Sequence, residues 1–529
     1  MTASKLELPA MNWKESSKSR FALAAIFALL GIAVILYQTR NGPAVGGDSV
    51  QYIMGARNLL EGIGYSRLSG GGQVIPITGF PPFYSSVLAA LGMVGVDLIE
   101  GARFLNAFFF GGSLFLIGQL IHLATRSIWA TMIGCALILS STTLLVFHGM
   151  AMTEPLYIFL MLLTLYGLVR YLDTYQPLLL LLMAGLTSMA ILTRYVALSM
   201  TTTVVLSILL FSTKNWRRRV LDCVLFGGIS LAPLVFWFRR NSIIGGSLTN
   251  RVLIFHLIRP EILRSYFAEI LSWFVPRILG LPRPLRNALV ILIALPAPLI
   301  FLFREARSGF LNSGHKQDVI RNLPWILIFY VVSYLGILGA NSLLLDAGTT
   351  LGATPRYLAP VFIVVVMFFV IIVHRLVASR RRLSFPFIAA LGYSALLILL
   401  YGIQSIPQIS HPNLVYLSYM RMRPGVVNEL ESIDPDVPII TNNQELVYLM
   451  TERGAYMWPI QFDQYRQEER EDYMAQLDAT REKLDRGAIL VVFGWPVGTE
   501  ELVFNVLNTQ RLETFIDVTF LGYPEAQSD

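Results

Sequence analysis

Apolar runs recur along this chain, each close to the ~20 residues that an α-helix needs to cross a bilayer. Periodicity and breaker residues place them at 21–38, 100–124, 128–148, 156–172, 178–193, 196–212, 220–238, 287–303, 324–345, 358–378 and 385–405. Lipid offers the backbone no hydrogen-bond partners, so runs of this kind predict a polytopic α-helical membrane protein of about 11 transmembrane helices. Composition agrees: with 55% hydrophobic and 14% charged residues, a chain of 529 is too apolar for a soluble globular protein. Segment 84–96 is too short to span and follows Pro81-Pro82, so it reads as a re-entrant or interfacial helix. The first run follows Lys14, Lys18 and Arg20 as a signal peptide would, but no small-residue cleavage site comes after it. It is expected to stay as the first span.

Charge divides the chain. Residues 406–529 hold 20 acidic and 9 basic side chains, a net −11, against +7 for the whole and therefore +18 for the rest. A basic membrane part and an acidic tail imply two environments. We expect a cytoplasmic N-terminus at 1–20, a membrane domain at 21–405 and a small extracytoplasmic α/β domain at 406–529. In the tail, 437–441 reads as a strand, 445–450 as a short helix, 468–486 as a charged surface helix and 487–494 as a buried strand. With the N-terminus inside, the clusters at Lys14 to Arg20, Arg126, Lys214 to Arg219, Arg304 to Arg321 and Arg375 to Arg382 fall on one face, as positive-inside topology requires. The outer loop 239–286 breaks the pattern with Arg239, Arg240, Arg251, Arg259, Arg264, Arg277, Arg283 and Arg286. Its apolar residues, Leu253 to Trp273, suit an interfacial helix, and its cations suit an anion. The charge lies in short clusters between apolar runs, which argues against a nucleic-acid partner. His148 and His256 lack metal-ligand spacing and read as structural.

Two acids stand at the outer ends of early spans, where a carboxylate needs water, a partner or a substrate. Asp48 lies in the small-residue turn Gly46-Gly47-Asp48-Ser49, within the outer loop 39–99. Glu154 lies in Thr153-Glu154-Pro155, where Thr153 suits a helix cap and the acid suits the positive helix end. Arginines return to the same rim in Thr193-Arg194-Tyr195 and Pro355-Arg356-Tyr357. Either may be read as snorkelling to lipid headgroups or as partnering an anion.

The aspartate of the first outer loop, the Pro-Pro turn, Thr-Glu-Pro-Leu, Leu192 to Tyr195 and Pro355 to Pro360, in that order, resemble the GT-C glycosyltransferases. The resemblance is greatest to the bacterial branch of the protein O-mannosyltransferases and the lipid A aminoarabinose transferase. It implies a glycosyltransferase of the bacterial cytoplasmic membrane with loop 39–99 as its catalytic loop. A sugar would pass, with inversion, from a polyprenyl-phosphate carrier to a glycan, lipid or protein acceptor on the outer face. It implies Asp48 as base, Glu154 as the second catalytic acid (orienting the acceptor, tuning Asp48 or sharing a cation), and Arg356-Tyr357, Arg194-Tyr195 and, more weakly, Arg240 on the lipid phosphate. Many such enzymes carry a second acid beside the first, whereas Ser49 follows Asp48 here. A divalent cation (Mg or Mn) shared by Asp48 and Glu154 is thus an open expectation. The rival readings are a transporter or flippase and a non-catalytic membrane scaffold. A transporter calls for ionisable residues at mid-span and symmetric broken helices, neither of which the sequence displays.

Overall fold

The computed structural model describes residues 17–255, 257–307, 319–345, 354–378, 385–410, 424–463, 468–494, 501–515 and 518–522. Lys14, His256 and the run Arg380, Arg381 and Arg382 lie outside them. The membrane part comprises α1 (Ser17–Gln38), α2 (Gly47–Leu60), α3 (Phe83–Gly92), α4 (Leu98–Thr125), α5 (Ile128–Leu139), α6 (Thr142–His148), α7 (Glu154–Thr174) and α8 (Pro177–Ile191). It continues through α9 (Leu198–Phe211), α10 (Trp216–Gly245), α11 (Pro260–Ser272), α12 (Arg283–Ala294), α13 (Pro296–Arg307), α14 (Val319–Leu344), α15 (Thr354–Ala378) and α16 (Phe385–Ser410).

Among the described residues, 8 helical segments are long and apolar enough to cross a membrane, and the pair α5–α6, bent by 61°, makes up to 9. The protein is thus a multi-pass helical membrane protein. The runs expected to span at 178–193 and 196–212 form shorter helices, because Thr193 and Arg194 interrupt them. The bend in α5–α6 falls at Ser140-Ser141, where the Ser141 hydroxyl accepts from Leu144 N and restarts the helix. Segment 83–92 is a short helix, as its length required. α1 lies close against α4 at Gly111, where a Cβ would come within 2.7 Å of the Ala28 carbonyl oxygen. Small residues permit such approach between membrane helices.

The basic loop expected at 239–286 begins later. α10 runs on to Gly245 and ends at Gly246 in the left-handed region, so Arg239 and Arg240 belong to its last turns. The amphipathic stretch becomes helical only from Pro260, where proline opens α11, while Leu253 instead bridges Leu345. Near the end of α11, Glu269 pairs with Arg277 at 3.1 Å.

Beyond residue 423 the pattern changes to period two. Strands β3 (Ile439–Thr441), β4 (Tyr456–Met457), β7 (Ile489–Phe493), β8 (Gln510–Phe515) and β9 (Val518–Gly522) form one sheet in the order β4-β3-β7-β9-β8. β3 is parallel to β4 and β7, and β9 is antiparallel to β7 and β8. Alternate residues face opposite sides. Ile439, Val491 and Phe493 meet α17 (Pro424–Ser432) and α18 (Gln444–Thr451), while Ile440, Leu490 and Val492 meet α19 (Tyr473–Asp485). The charged helix expected from 468 starts only at Tyr473, because Glu468–Glu469 pairs as β6 with β5 (Phe462–Asp463). The remaining pair, β1 (Ser66–Leu68) and β2 (Val74–Pro76), is a hairpin in the loop 39–99.

Candidate active site

The site is assembled by a backbone clip. Ala44 and Met150 form an isolated parallel bridge, in which Ala44 N donates to the Gly149 carbonyl at 2.8 Å and Ala151 N donates to the Ala44 carbonyl at 2.9 Å. Four residues beyond the clip on either chain comes an acid: Asp48 in the first turn of α2, and Glu154 at the start of α7. Ser49 adds a tie, its hydroxyl accepting from Gly46 N at 3.1 Å and donating to the Met152 sulfur at 3.2 Å.

Arg356, in the first turn of α15, joins the two acids. Its Nη1 donates to Asp48 Oδ2 at 2.6 Å, and its Nε donates to Glu154 Oε1. Arg194, in the break between α8 and α9, donates from Nη1 to the same Glu154 oxygen and to the Thr153 hydroxyl at 3.1 Å. Thr153 occupies the cap position as expected, yet its side chain caps no backbone N–H. Its hydroxyl is committed to Arg194 and, at 3.4 Å, to Glu154 Oε2.

Exposure separates the two carboxylates. Glu154 is 1% exposed and Asp48 36%. A buried carboxylate is costly unless paired and hydrogen-bonded, and Glu154 has two guanidinium groups and the positive end of α7 to satisfy it. Asp48 has one guanidinium and access to solvent. One helical turn after Asp48, Tyr52 packs edge-to-face on Phe80 and Tyr84 at 5.3 and 5.4 Å. Burial, with the Asp48 charge adding to it, pushes the Tyr52 phenol well above its usual range, so it stays a neutral hydroxyl in the floor of the site.

The other expected site residues have different contacts. Tyr195 accepts from Trp237 Nε1 at 2.8 Å, and the Tyr357 carbonyl accepts from the Tyr334 hydroxyl at 2.8 Å. Arg240 holds the loop 39–99, donating to the carbonyls of Ile77 (2.9 Å) and Tyr65 (3.0 Å) and lying over the Trp237 ring at 4.8 Å. His148 is buried, with Nδ1 2.7 Å from the Leu144 carbonyl oxygen.

The residues do not fit the divalent cation left open by the sequence. Mg or Mn takes about six oxygen ligands, whereas here a guanidinium bridges the two carboxylates and a second one faces the more buried of them. Among the described residues, no three His, Cys, Asp or Glu side chains gather closely enough to hold an ion.

Beside α15 lies a cavity of about 1060 Å³, lined by apolar side chains of α5, α15 and α16 such as Ile133, Val366, Val370 and Leu397. It shares Trp273, Phe362 and Tyr401 with a polar recess of about 380 Å³, whose wall includes Thr142, Gln404 and Pro355, the neighbour of Arg356.

No protein-family model and no curated protein matches the sequence. Among solved structures, ArnT from Cupriavidus metallidurans in the apo state aligns at 13% identity and TM-score 0.59, over 94% of this chain and 97% of that one. The same protein bound to undecaprenyl phosphate aligns at 12% identity and TM-score 0.58, over 95% and 98%. The archaeal oligosaccharyltransferase AglB from Archaeoglobus fulgidus, in complex with an inhibitory peptide and a dolichol-phosphate, is more distant. It aligns at 13% identity and TM-score 0.49, over 93% of this chain and 71% of that one. At such identities the likeness is one of fold, and it extends over nearly the whole of both chains: the protein has the membrane fold seen in ArnT.

Proposed function

We propose that this protein is a membrane glycosyltransferase that moves a sugar from a polyprenyl-phosphate carrier to an acceptor hydroxyl on the outer face of the cytoplasmic membrane. The observation that carries the reading is the bridge made by Arg356, which sets a solvent-reachable carboxylate beside a guanidinium whose planar donors suit a phosphate. The fold adds support, since ArnT has been crystallised with undecaprenyl phosphate. So does the apolar cavity beside α15, which is suited to a prenyl chain and shares three lining residues with a recess that Pro355 helps to line.

In this reading the acceptor oxygen attacks the anomeric carbon as the bond from that carbon to the phosphate oxygen breaks. The electron pair leaves with the phosphate and the acceptor proton passes to Asp48. Charge growing on the phosphate is met by the planar donors of Arg356 and Arg194. Glu154 orients both guanidinium groups. A single displacement of this kind inverts the anomeric centre. Arg126 after α4, the run Lys214 to Arg219 at the start of α10 and Arg375 in the last turn of α15 lie at helix ends away from Asp48 and Arg356. They support placing the site outside and the C-terminal α/β region with it.

The test is Asp48→Asn in purified full-length protein, incubated with a panel of radiolabelled polyprenyl-phosphate sugars and candidate acceptors. Transfer should fall by about 10²–10⁴-fold, the range for loss of a general base, while polyprenyl-phosphate binding does not weaken. Undiminished transfer by Asp48→Asn would overturn the assignment. Net lipid flux across vesicles without any transfer product would favour a transporter.

A further inference from the structure

The C-terminal α/β region is bonded to the same helix that carries Asp48. Near the far end of α2, Arg57 Nη1 donates to the Tyr448 hydroxyl at 3.0 Å, and Nη2 pairs with Glu452 Oε1 at 2.9 Å. Tyr448 and Glu452 belong to α18 and its C-terminal cap. The two contacts differ in weight. Glu452 is 65% exposed, so water and salt screen its pairing. Tyr448 is 2% exposed and is buried in the same apolar core as the membrane helices, where a charge-assisted hydrogen bond is stronger.

Two further contacts seat the region. Gly70, in the first outer loop, lies under the Tyr456 ring, which a Cβ would meet at 2.2 Å, and a Cβ on Gly454 would meet the Ser69 carbonyl oxygen at 2.0 Å. At the other end of α2, the Glu445 side chain comes 4.0 Å from where a Cβ on Gly47 would be. α18 therefore touches α2 beside Asp48 as well as at Arg57.

Resting on the glycosyl-transfer reading, we propose that Arg57 is a positioning residue that pins α2 to the C-terminal region through Tyr448 and so keeps Asp48 in place against Arg356. α2 acts as a lever. The nine residues from Arg57 to Asp48 span about 13 Å at the helical rise, so a tilt of about 5° moves the carboxylate by about 1 Å. Misplacement on that scale is enough to slow a reaction that depends on oriented groups.

The experiment uses full-length protein in lipid nanodiscs and measures kcat per folded molecule, together with KM for the sugar donor. Arg57→Ala and Tyr448→Phe are each expected to lower kcat about tenfold with KM within twofold, and the double variant to be no worse than the poorer single one. Arg57→Lys should recover part of the loss, and Glu452→Gln should stay within twofold of the parent. A merely structural contact would lower yield or thermal stability but leave kcat per folded molecule unchanged.

A second measurement is independent of the chemistry. In Gly47→Cys/Glu445→Cys protein, a short bifunctional thiol reagent reports whether α18 sits on α2, and adding Arg57→Ala should slow that cross-link about fivefold. Unchanged kcat in Arg57→Ala and Tyr448→Phe, alongside an inactive Asp48→Asn, would overturn the latch and leave the transfer reading standing. An active Asp48→Asn would overturn the transfer reading instead. The latch would then fall or survive on the cross-link, and an unaltered rate in Arg57→Ala would sink it.

Discussion

Replacing Glu154 with leucine tests whether this carboxylate is the anchor of the site. Its side chain is 1% exposed and accepts from Arg194 and Arg356, which are 15% and 17% exposed. Truncation leaves the two cations unequally placed. Arg356 keeps Asp48 at 2.6 Å, but Arg194 keeps only the Thr153 hydroxyl at 3.1 Å. A buried charge stripped of its partner costs about 3–5 kcal/mol, and most of that falls on Arg194. The companion variant Glu154→Leu/Arg194→Leu removes the stranded cation as well, so stability should return to within about 1 kcal/mol of the parent, as when a buried pair is replaced by apolar groups. On the proposed reading transfer should not return, since a donor to the phosphate would be missing. Thermal unfolding in detergent with bound and free donor, run beside the transfer assay, separates the two effects. If the double variant is destabilised by the sum of the two single ones, Arg194 is not held by Glu154 and the reasoning fails.

Arg240→Ala should behave as a loop variant. It frees the Ile77 and Tyr65 carbonyls and costs about 1–3 kcal/mol in unfolding, while donor Kd stays within twofold; a tenfold weaker Kd would return Arg240 to the phosphate. Gly55→Ala puts a Cβ 2.5 Å from the Tyr65 ring. It should destabilise the protein by about 1–3 kcal/mol through overpacking, with Tyr65→Leu in the same chain relieving most of the loss; a neutral Gly55→Ala would show that α2 has slack at that turn.

Much of the architecture was legible because it follows from local rules. Each of the eleven apolar runs became helical, 128–148 as the bent pair α5–α6 and 287–303 as α12 and α13, and the strands expected at 437–441 and 487–494 contain β3 and β7. Boundaries were lost where a distant partner decides them. Thr153-Glu154-Pro155 reads as a helix start and is one, but nothing local says that the Thr153 hydroxyl turns to Arg194, 41 residues away. Arg240 looked like a cation in a basic loop, whereas its partners are carbonyls 163 and 175 residues back in the chain. The clip between Ala44 and Met150 has no side-chain signature at all, since it is made by backbone groups. Tyr52 was within reach of the sequence as the residue one helical turn after Asp48. The Arg57–Tyr448 contact joins segments 391 residues apart, and no periodicity reports it.

The charge balance of the site has a consequence for how such a reaction would be ordered. Asp48, Glu154, Arg194 and Arg356 sum to zero, so the resting protein leaves no uncompensated charge near lipid, where one is costly. On the proposed reading, an arriving lipid phosphate brings negative charge into this balanced set and must draw donors from a carboxylate. Glu154 is held by two guanidinium groups and buried, whereas Asp48 is held by one and half open to water. The bond that yields is therefore Arg356 to Asp48. A carboxylate released from a guanidinium has an oxygen free to accept the hydrogen bond of the acceptor hydroxyl, so the donor that supplies the sugar also frees the base that activates the acceptor. Without donor the aspartate remains paired, which couples reactivity to the lipid carrier through one arginine rather than through a moving lid.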